Sequence, residues 1–280
     1  MKIKRLSGEL LSYFVISAFG LIMLYPLLWM LGNSFKPQAE IFSSISIFPE
    51  KITFDNYIKG WRGVAGIRFS RFLVNGIILA VLCVIGNVTS CSLSAFAFSR
   101  LKFRFSRLFF SFMLITMMVP AHAVLIPQYI VFNKLRFIDT YMPLVLPKFF
   151  SVESFFIFLI IQFMRSLPKD LDEAAYVDGC NTWYVYSRIV MPLALPALVT
   201  TAIFTFMWTW NDFFSQLLYL NNPNKYTIAL GLRLFMDSTG ESSWGALFSM
   251  SIISLLPVLI IFVFLQKYLV EGITAGGVKG

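Results

Sequence analysis

Charge is scarce in this chain. Asp, Glu, Lys and Arg make up 13% of its 280 residues, while 58% are apolar and 17% aromatic. A soluble domain carries roughly 25% charge and about 45–50% apolar residues. That shortage excludes an ordinary soluble globular protein and leaves a polytopic membrane protein. Histidine occurs once, at His122, and cysteine three times, at Cys83, Cys91 and Cys180. So few ligating side chains, scattered along the chain, leave no metal site to expect. Cys83 and Cys91 share one expected helix, about 12 Å apart along its axis, too far for a disulfide. His122 follows Pro120 at an expected helix end, where a structural or cavity-lining role suits it. The net charge of +9 would suggest nucleic acid in a soluble protein. Here the cations flank apolar runs, where topology and anionic headgroups account for them, and no nucleic-acid partner is expected.

What is present is long apolar runs. Six are expected to cross the roughly 30 Å of hydrocarbon, at 10–31, 72–98, 108–132, 149–164, 196–220 and 244–266, which makes the fold class an all-α membrane protein. The first has an uncharged length of about 22 residues against the 7–15 of a signal peptide, so it reads as a retained anchor. The fourth is short and holds Glu153, a carboxylate expected at a helix end or against a polar cavity rather than facing lipid. With both termini cytoplasmic, the inner segments 1–9, 99–107, 165–195 and 267–280 carry 12 of the 23 basic residues. The count alone barely decides. "RLKFRFSR" tips it, because it concentrates four cations in one short loop, where the positive-inside rule weighs most. No linker divides the sequence, so residues 1–280 are read as a single transmembrane domain. The outer loop 32–71 should fold into turns and short helices. "PAHAVLIPQYIVFNKLRFIDTYMPLVLPKFF" holds four prolines and is too apolar for a free loop, so re-entrant or interfacial helices are expected there.

The stretch 166–195 breaks this pattern with four carboxylates in nine positions, Asp170, Asp172, Glu173 and Asp178. It reads as a helix capped by Ser166 with Pro168 in its first turn, its acids near the positive end of the dipole. Gly179 stops it, Asn181 caps a second helix "TWYVYSRIV", and Pro192 and Pro196 end or redirect that one. Asp172 and Glu173 are adjacent and diverge on a helix, and no nucleophile or metal ligand accompanies them, so no catalytic residue is expected. Plain capping on a solvated face competes with a docking helix whose small Ala174–Ala175 face fits a partner's groove.

"EAAYVDGCNTWYVYSRIVMPLALPAL" resembles the EAA motif of ABC-importer permeases, with Glu173, Ala174, Ala175, Asp178, Gly179, Ile189 and Pro192 in register. Cys180 stands where Ala is common and Met191 where Leu is usual. "YPLLWMLGNSFKPQAEIF", "FTFMWTWNDFF" and "LQKYLVEGITAGGVKG" extend the resemblance over nearly the whole chain, to the smaller six-span subunit of the maltose-type carbohydrate importers. The resemblance implies a type I importer half in the cell membrane, with a second homologous permease, two ATPase subunits that bind ATP and Mg, and an extracytoplasmic solute-binding protein delivering carbohydrate. It makes the motif helix a coupling helix seated in the ATPase. No cofactor is then expected in this chain. An ion-coupled secondary carrier is the alternative, which ought to show inverted repeats and paired midplane acids; neither is evident.

Sugars are held by aromatic faces ringed with hydrogen-bonding groups, so Trp208, Trp210, Asn211 and Asp212 are expected to line a substrate path, with Glu153 adding an acceptor. The competing expectation is that the tryptophans are interfacial and that Asn211 and Asp212 cap the helix. Asn75 and Asn87 are read as packing hydrogen bonds between helices. "MDSTGESSWG", with Asp237, Gly240 and Ser242, is expected outside the membrane as the contact loop for the binding protein, on the strength of the resemblance.

Overall fold

The computed structural model describes residues 2–44, 46–237 and 243–274. The described residues form helices and turns, with one isolated bridge between Val64 and Ile67. In chain order the helices are α1 (Lys2–Ser34), α2 (Asp55–Arg62), α3 (Phe69–Arg100), α4 (Ser106–Thr116), α5 (Ala121–Lys134), α6 (Met142–Val145) and α7 (Ser154–Ser166). There follow α8 (Asp170–Val177), α9 (Thr182–Tyr184), α10 (Met191–Leu193), α11 (Leu195–Asn211), α12 (Phe214–Tyr219), α13 (Ile228–Asp237) and α14 (Trp244–Thr274). A 3₁₀ turn, Leu146–Phe150, follows α6, and a π-helical segment, Val185–Val190, joins α9 to α10.

Four helical runs are long and apolar enough to cross a membrane: Ser12–Ser34, Phe69–Arg100, Met142–Ser166 and Trp244–Leu269. A fifth exists if Thr182–Leu193 and Leu195–Asn211, bent by 75°, count as one span. The expected third span, 108–132, is instead broken into α4 and α5. Pro120 sets the break, since its ring clashes with a preceding helical turn and it lacks the N–H to continue one. The fifth expected span, 196–220, likewise ends at Asn211, where Asp212 is extended, and α12 is a separate short helix.

Two compact units emerge, Met1–Ser70 with Gly231–Leu256, and Arg71–Leu230 with Pro257–Gly280. In the first, the turns after α1 are fixed from within. Asn56 donates its side-chain amide to the carbonyls of Ser34 (2.9 Å) and Lys36 (2.7 Å), and Ser249 donates to Asn56 O at 3.0 Å. Lys36 is fully buried and donates to Ser46 O at 2.5 Å, a backbone carbonyl doing the work of a counter-ion for a desolvated ammonium.

The second unit has the larger core. Cys91, Ala95 and Phe96 of α3 pack with Phe156, Ile160 and Met164 of α7 and with Ala194, Ala197 and Leu198 around the start of α11. Small residues let these helices approach closely, which matters where lipid offers no hydrophobic drive for association. Asn87 donates to Thr205 Oγ1 at 2.7 Å, tying α3 to α11 as a packing bond, while Asn75 holds the loop carbonyls of Asn224 and Tyr226 at 2.9 Å each. Gly86 faces the ring of Phe149 so closely that a Cβ there would lie 2.6 Å from it. Gly86→Ala should therefore destabilise the protein by about 1–3 kcal/mol through overpacking. Gly20→Ala on α1, where a Cβ meets nothing within 4 Å, should not. Thermal unfolding of both variants in detergent checks this; equal melting temperatures would refute the contact.

Candidate functional site

The motif region folds as two short helical pieces joined by a glycine turn. Ser166, expected to cap α8, does not: it ends α7 and donates to Phe163 O at 2.7 Å, and Lys169 takes the cap position without a side-chain bond. The C-terminal end follows expectation. Gly179 has φ +82°, its N–H donates to Tyr176 O at 3.1 Å, and Cys180 N–H donates to Ala175 O at 2.9 Å. That is a Schellman stop, and it requires a residue that tolerates the left-handed region. Asn181 then accepts from Tyr184 N–H at 2.8 Å and starts the next helix. That helix passes through the π-helical segment and Pro192 to Ala194, where the chain turns 75° into α11 with Pro196 in its first turn.

Helix α8 has two unlike faces. Asp172 and Ala175 are buried, and Asp172 pairs with Arg100 at the end of α3, Nε to Oδ2 2.8 Å. Burial pushes the Asp172 carboxyl up from its usual range, against the pull of Arg100 and Lys169. Glu173 and Ala174 are exposed on the opposite side, together with Val177 at 87%. Asp178 and Gly179 are exposed, Ile189 packs partly against the core, and Pro192 is exposed. Trp183 and Tyr184 add two large exposed aromatics just past the turn.

A cavity of about 490 Å³ lies in the second unit, within the size range of small-molecule sites. Trp208, Asn211 and Asp212 line it, with His122, Lys148 and Gln216. Trp208 is half exposed and packs on Phe156 with ring centroids 4.9 Å apart. Asn211 donates its amide to Met207 O at 2.8 Å, and Asp212 accepts from Ser215 N–H at 3.0 Å, so both side chains also serve the helix ends. Trp210 is not brought to the cavity: it is buried, stacked on Phe206, and faces Gly76. Glu153 reaches the site only through Lys148, with which it forms an ion pair at the start of α7. Sequence reasoning missed Lys148, although a lysine five residues before a glutamate inside an apolar run was the signal for it. His122 stacks on Phe214, ring centroids 5.7 Å apart, and lines the cavity.

Beyond the apolar runs, Asp139 clamps the loop after α12. It accepts from the N–H groups of Asn221 (3.0 Å) and Asn222 (2.9 Å) and pairs with Lys225 at 2.6 Å. Gly240 and Ser242 lie outside the described residues, as does the side chain of Asp237, which ends α13.

The described residues are helical, and the apolar helices of the second unit line a partly polar cavity. A trehalose/maltose transport system permease protein of Thermococcus litoralis is 33% identical over 93% of this chain and 93% of its own. A galactooligosaccharides transport system permease protein of Bacillus subtilis is 30% identical over 100% and 99%. A crystal structure of a bacterial ABC transporter involved in import of the acidic polysaccharide alginate superposes with TM-score 0.83, covering 96% of this chain and 98% of that one at 22% identity, a likeness of fold. The family of binding-protein-dependent transport system inner membrane components matches residues 90–275, and the chain belongs to it.

The clamp predicts a pH dependence. The hydrogen bond from Lys225, then the Asn222 N–H, hold the Asp139 carboxyl below its usual range. A depressed folded-state pKa stabilises at neutral pH and loses that contribution as pH falls below about 4. Asp139→Asn should melt below the parental protein at pH 7, and the gap should narrow as pH falls below the usual carboxylate range; a gap independent of pH would refute the role.

Proposed function

We propose that this chain is one permease half of an ATP-driven, binding-protein-dependent carbohydrate importer of the cell membrane, with oligosaccharide as cargo. A homologous second permease completes the pathway, and two ATPase subunits carry the nucleotide and its Mg. An external solute-binding protein delivers the sugar. The chain works as a single transmembrane domain of six spans, with α4 and α5 together making the third and α11 with α12 making the fifth, with 166–195 as a cytoplasmic loop and with both termini cytoplasmic. The names of the relatives, a trehalose/maltose and a galactooligosaccharides permease among them, support the cargo class.

One observation carries the coupling reading. Helix α8 lies outside every apolar run, yet it offers Ala174 and Val177 to solvent beside Glu173 while Asp172 and Ala175 anchor its other face. An exposed apolar patch rimmed by charge on a rigid helix is what a groove on a partner recognises. Glu173, Ala174 and Asp178 contact the ATPase, Ala175, Gly179 and Ile189 hold the turn, and Pro192 leads into the bend. Closure of the ATPase pair moves this loop and turns the cavity outward, and hydrolysis resets it, an alternating-access motion of rigid parts.

In the cavity, Trp208 supplies an aromatic face, and Asn211 and Asp212 supply an amide and a carboxylate for hydroxyls. Glu153 balances Lys148, so the lining suits a neutral or modestly charged sugar. The loop of Asp237, Gly240 and Ser242 meets the binding protein. Val177→Lys and Glu173→Lys should leave the chain in the membrane but lower the ATPase that co-purifies with it by about tenfold or more, since each places an unpaired charge in a docked face. ATPase at the parental level in both variants would sink this reading.

A further inference from the structure

Three groups of α3 reach across to the motif loop and its continuation. Arg100, the last residue of α3, is buried with its side chain 4% exposed and pairs with Asp172 of α8, 11% exposed, at 2.8 Å. Its Nη2 also donates to Leu167 O, just before α8, at 3.2 Å. Two turns back, Ser92 shares a buried hydrogen bond of 2.9 Å with Tyr186 in the π-helical segment, and the Tyr186 ring meets Phe96 edge-on at 5.3 Å. The loop is therefore fixed to α3 at both of its halves. In the first half of the same helix, Leu79 and Cys83 line the cavity.

The two routes from the loop to the cavity differ in stiffness. The route through α11 passes a π-helical segment and then the 75° turn at Ala194, both places where a displacement is absorbed in backbone torsion. The route through α3 is one helix without proline from Phe69 to Arg100, and Arg100 to Cys83 spans about 25 Å at 1.5 Å per residue. A buried guanidinium that loses its carboxylate is left desolvated and unpaired, so the pair resists separation when the loop is pushed.

We infer that Arg100 and Asp172 form a latch that makes α3 the lever between the motif loop and the cavity: they position the helix for transport without touching ATP or sugar. The inference rests on the proposed docking of α8, and its test separates the two.

The test uses the complete transporter in proteoliposomes, with Cys83, Cys91 and Cys180 replaced by alanine and Asn211→Cys as a reporter in the cavity. The readout is the labelling rate of that cysteine by a membrane-impermeant maleimide, with and without ATP plus vanadate. We expect nucleotide to change the rate about tenfold in the parental complex, and the change to fall below about twofold in R100Q and D172N, each retaining its ATPase subunits. The charge swap R100E/D172R should restore at least about half of the change on a logarithmic scale. A parental-sized change in either single variant, or a swap no better than the singles, would overturn the latch. Loss of the ATPase subunits from R100Q or D172N would also overturn it, since Asp172 would then serve the partner rather than α3. A parental complex that holds no ATPase would defeat the docking reading instead. Tyr186→Phe removes only the hydroxyl link, so it decides the matter if the charge variants fail to reach the membrane. A change reduced by about twofold supports the lever, and an unaltered one refutes it.

Discussion

In hydrocarbon no water rescues a bare backbone carbonyl or amide, and each one left unpaired costs several kcal/mol. That constraint explains why the irregular stretches of the second unit occur where they do. The segment between α6 and α7 leaves helical geometry, with Ser151 at φ +55°, and it is stitched to α3 by hydroxyls. Ser90 donates to Lys148 O at 2.7 Å, Ser151 returns a bond to Ser90 O at 2.8 Å, and Ser94 meets Ser151 at 2.8 Å. Thr116, where α4 gives out, pairs with Ser154 at the start of α7 at 2.7 Å. The serines of α3 that look like polar blemishes in an apolar run are the partners that make the break in its neighbour tolerable. The break in turn delivers Lys148 to the cavity lining, and Lys148 brings Glu153 with it. Because the two charges neutralise each other, neither is left as an isolated ion beside the apolar helices.

Local chemistry made the motif loop readable from its residues. A glycine after an acidic helix, then an asparagine, can be decoded as a stop and a start because each acts through hydrogen bonds within five residues. The divergence of Asp172 and Glu173 was equally legible, since one hundred degrees of helical rotation separates adjacent residues. The identity of the buried acid was not. Which of the two turns inward depends on Arg100, seventy-two positions earlier in the chain, and no local rule reaches that far. Ser166 shows the same limit in reverse: as a cap it was chemically suitable, but α7 runs on to that residue and uses its hydroxyl against Phe163 O.

Apolar run length was the weaker guide. It found α1, α3 and α14, because one uninterrupted helix fills each run, although α1 starts well before residue 10 and α14 continues past residue 266. It failed for 108–132, where Pro120 interrupts, and for 196–220, where Asp212 ends the helix; hydropathy averaged over a window does not register a single broken hydrogen bond. The tryptophans show a third kind of limit. Two residues apart on a helix, Trp208 and Trp210 point some two hundred degrees apart, so one motif supplies both a cavity wall and a packing residue against Gly76. Composition alone cannot say which is which.

The uneven distribution of stiffness gives the motif loop its mechanical meaning. A loop gripped by two flexible connections would dissipate a push, and one gripped by two rigid connections could not move without unfolding its neighbours. Here the covalent continuation into α11 is the compliant side, through the π-helical turns and the bend at Ala194, while the non-covalent grip on α3 is the rigid side. The bend therefore does not weaken transmission. It permits it, because the turn at Ala194 absorbs any difference in displacement between α8 and α11, which Asn87 and Thr205 tie to α3 further along. A proline on either side of the bend, Pro192 and Pro196, fits that division: each forgoes a backbone donor where the helix must already turn, and none occurs along α3 where the same loss would soften the lever.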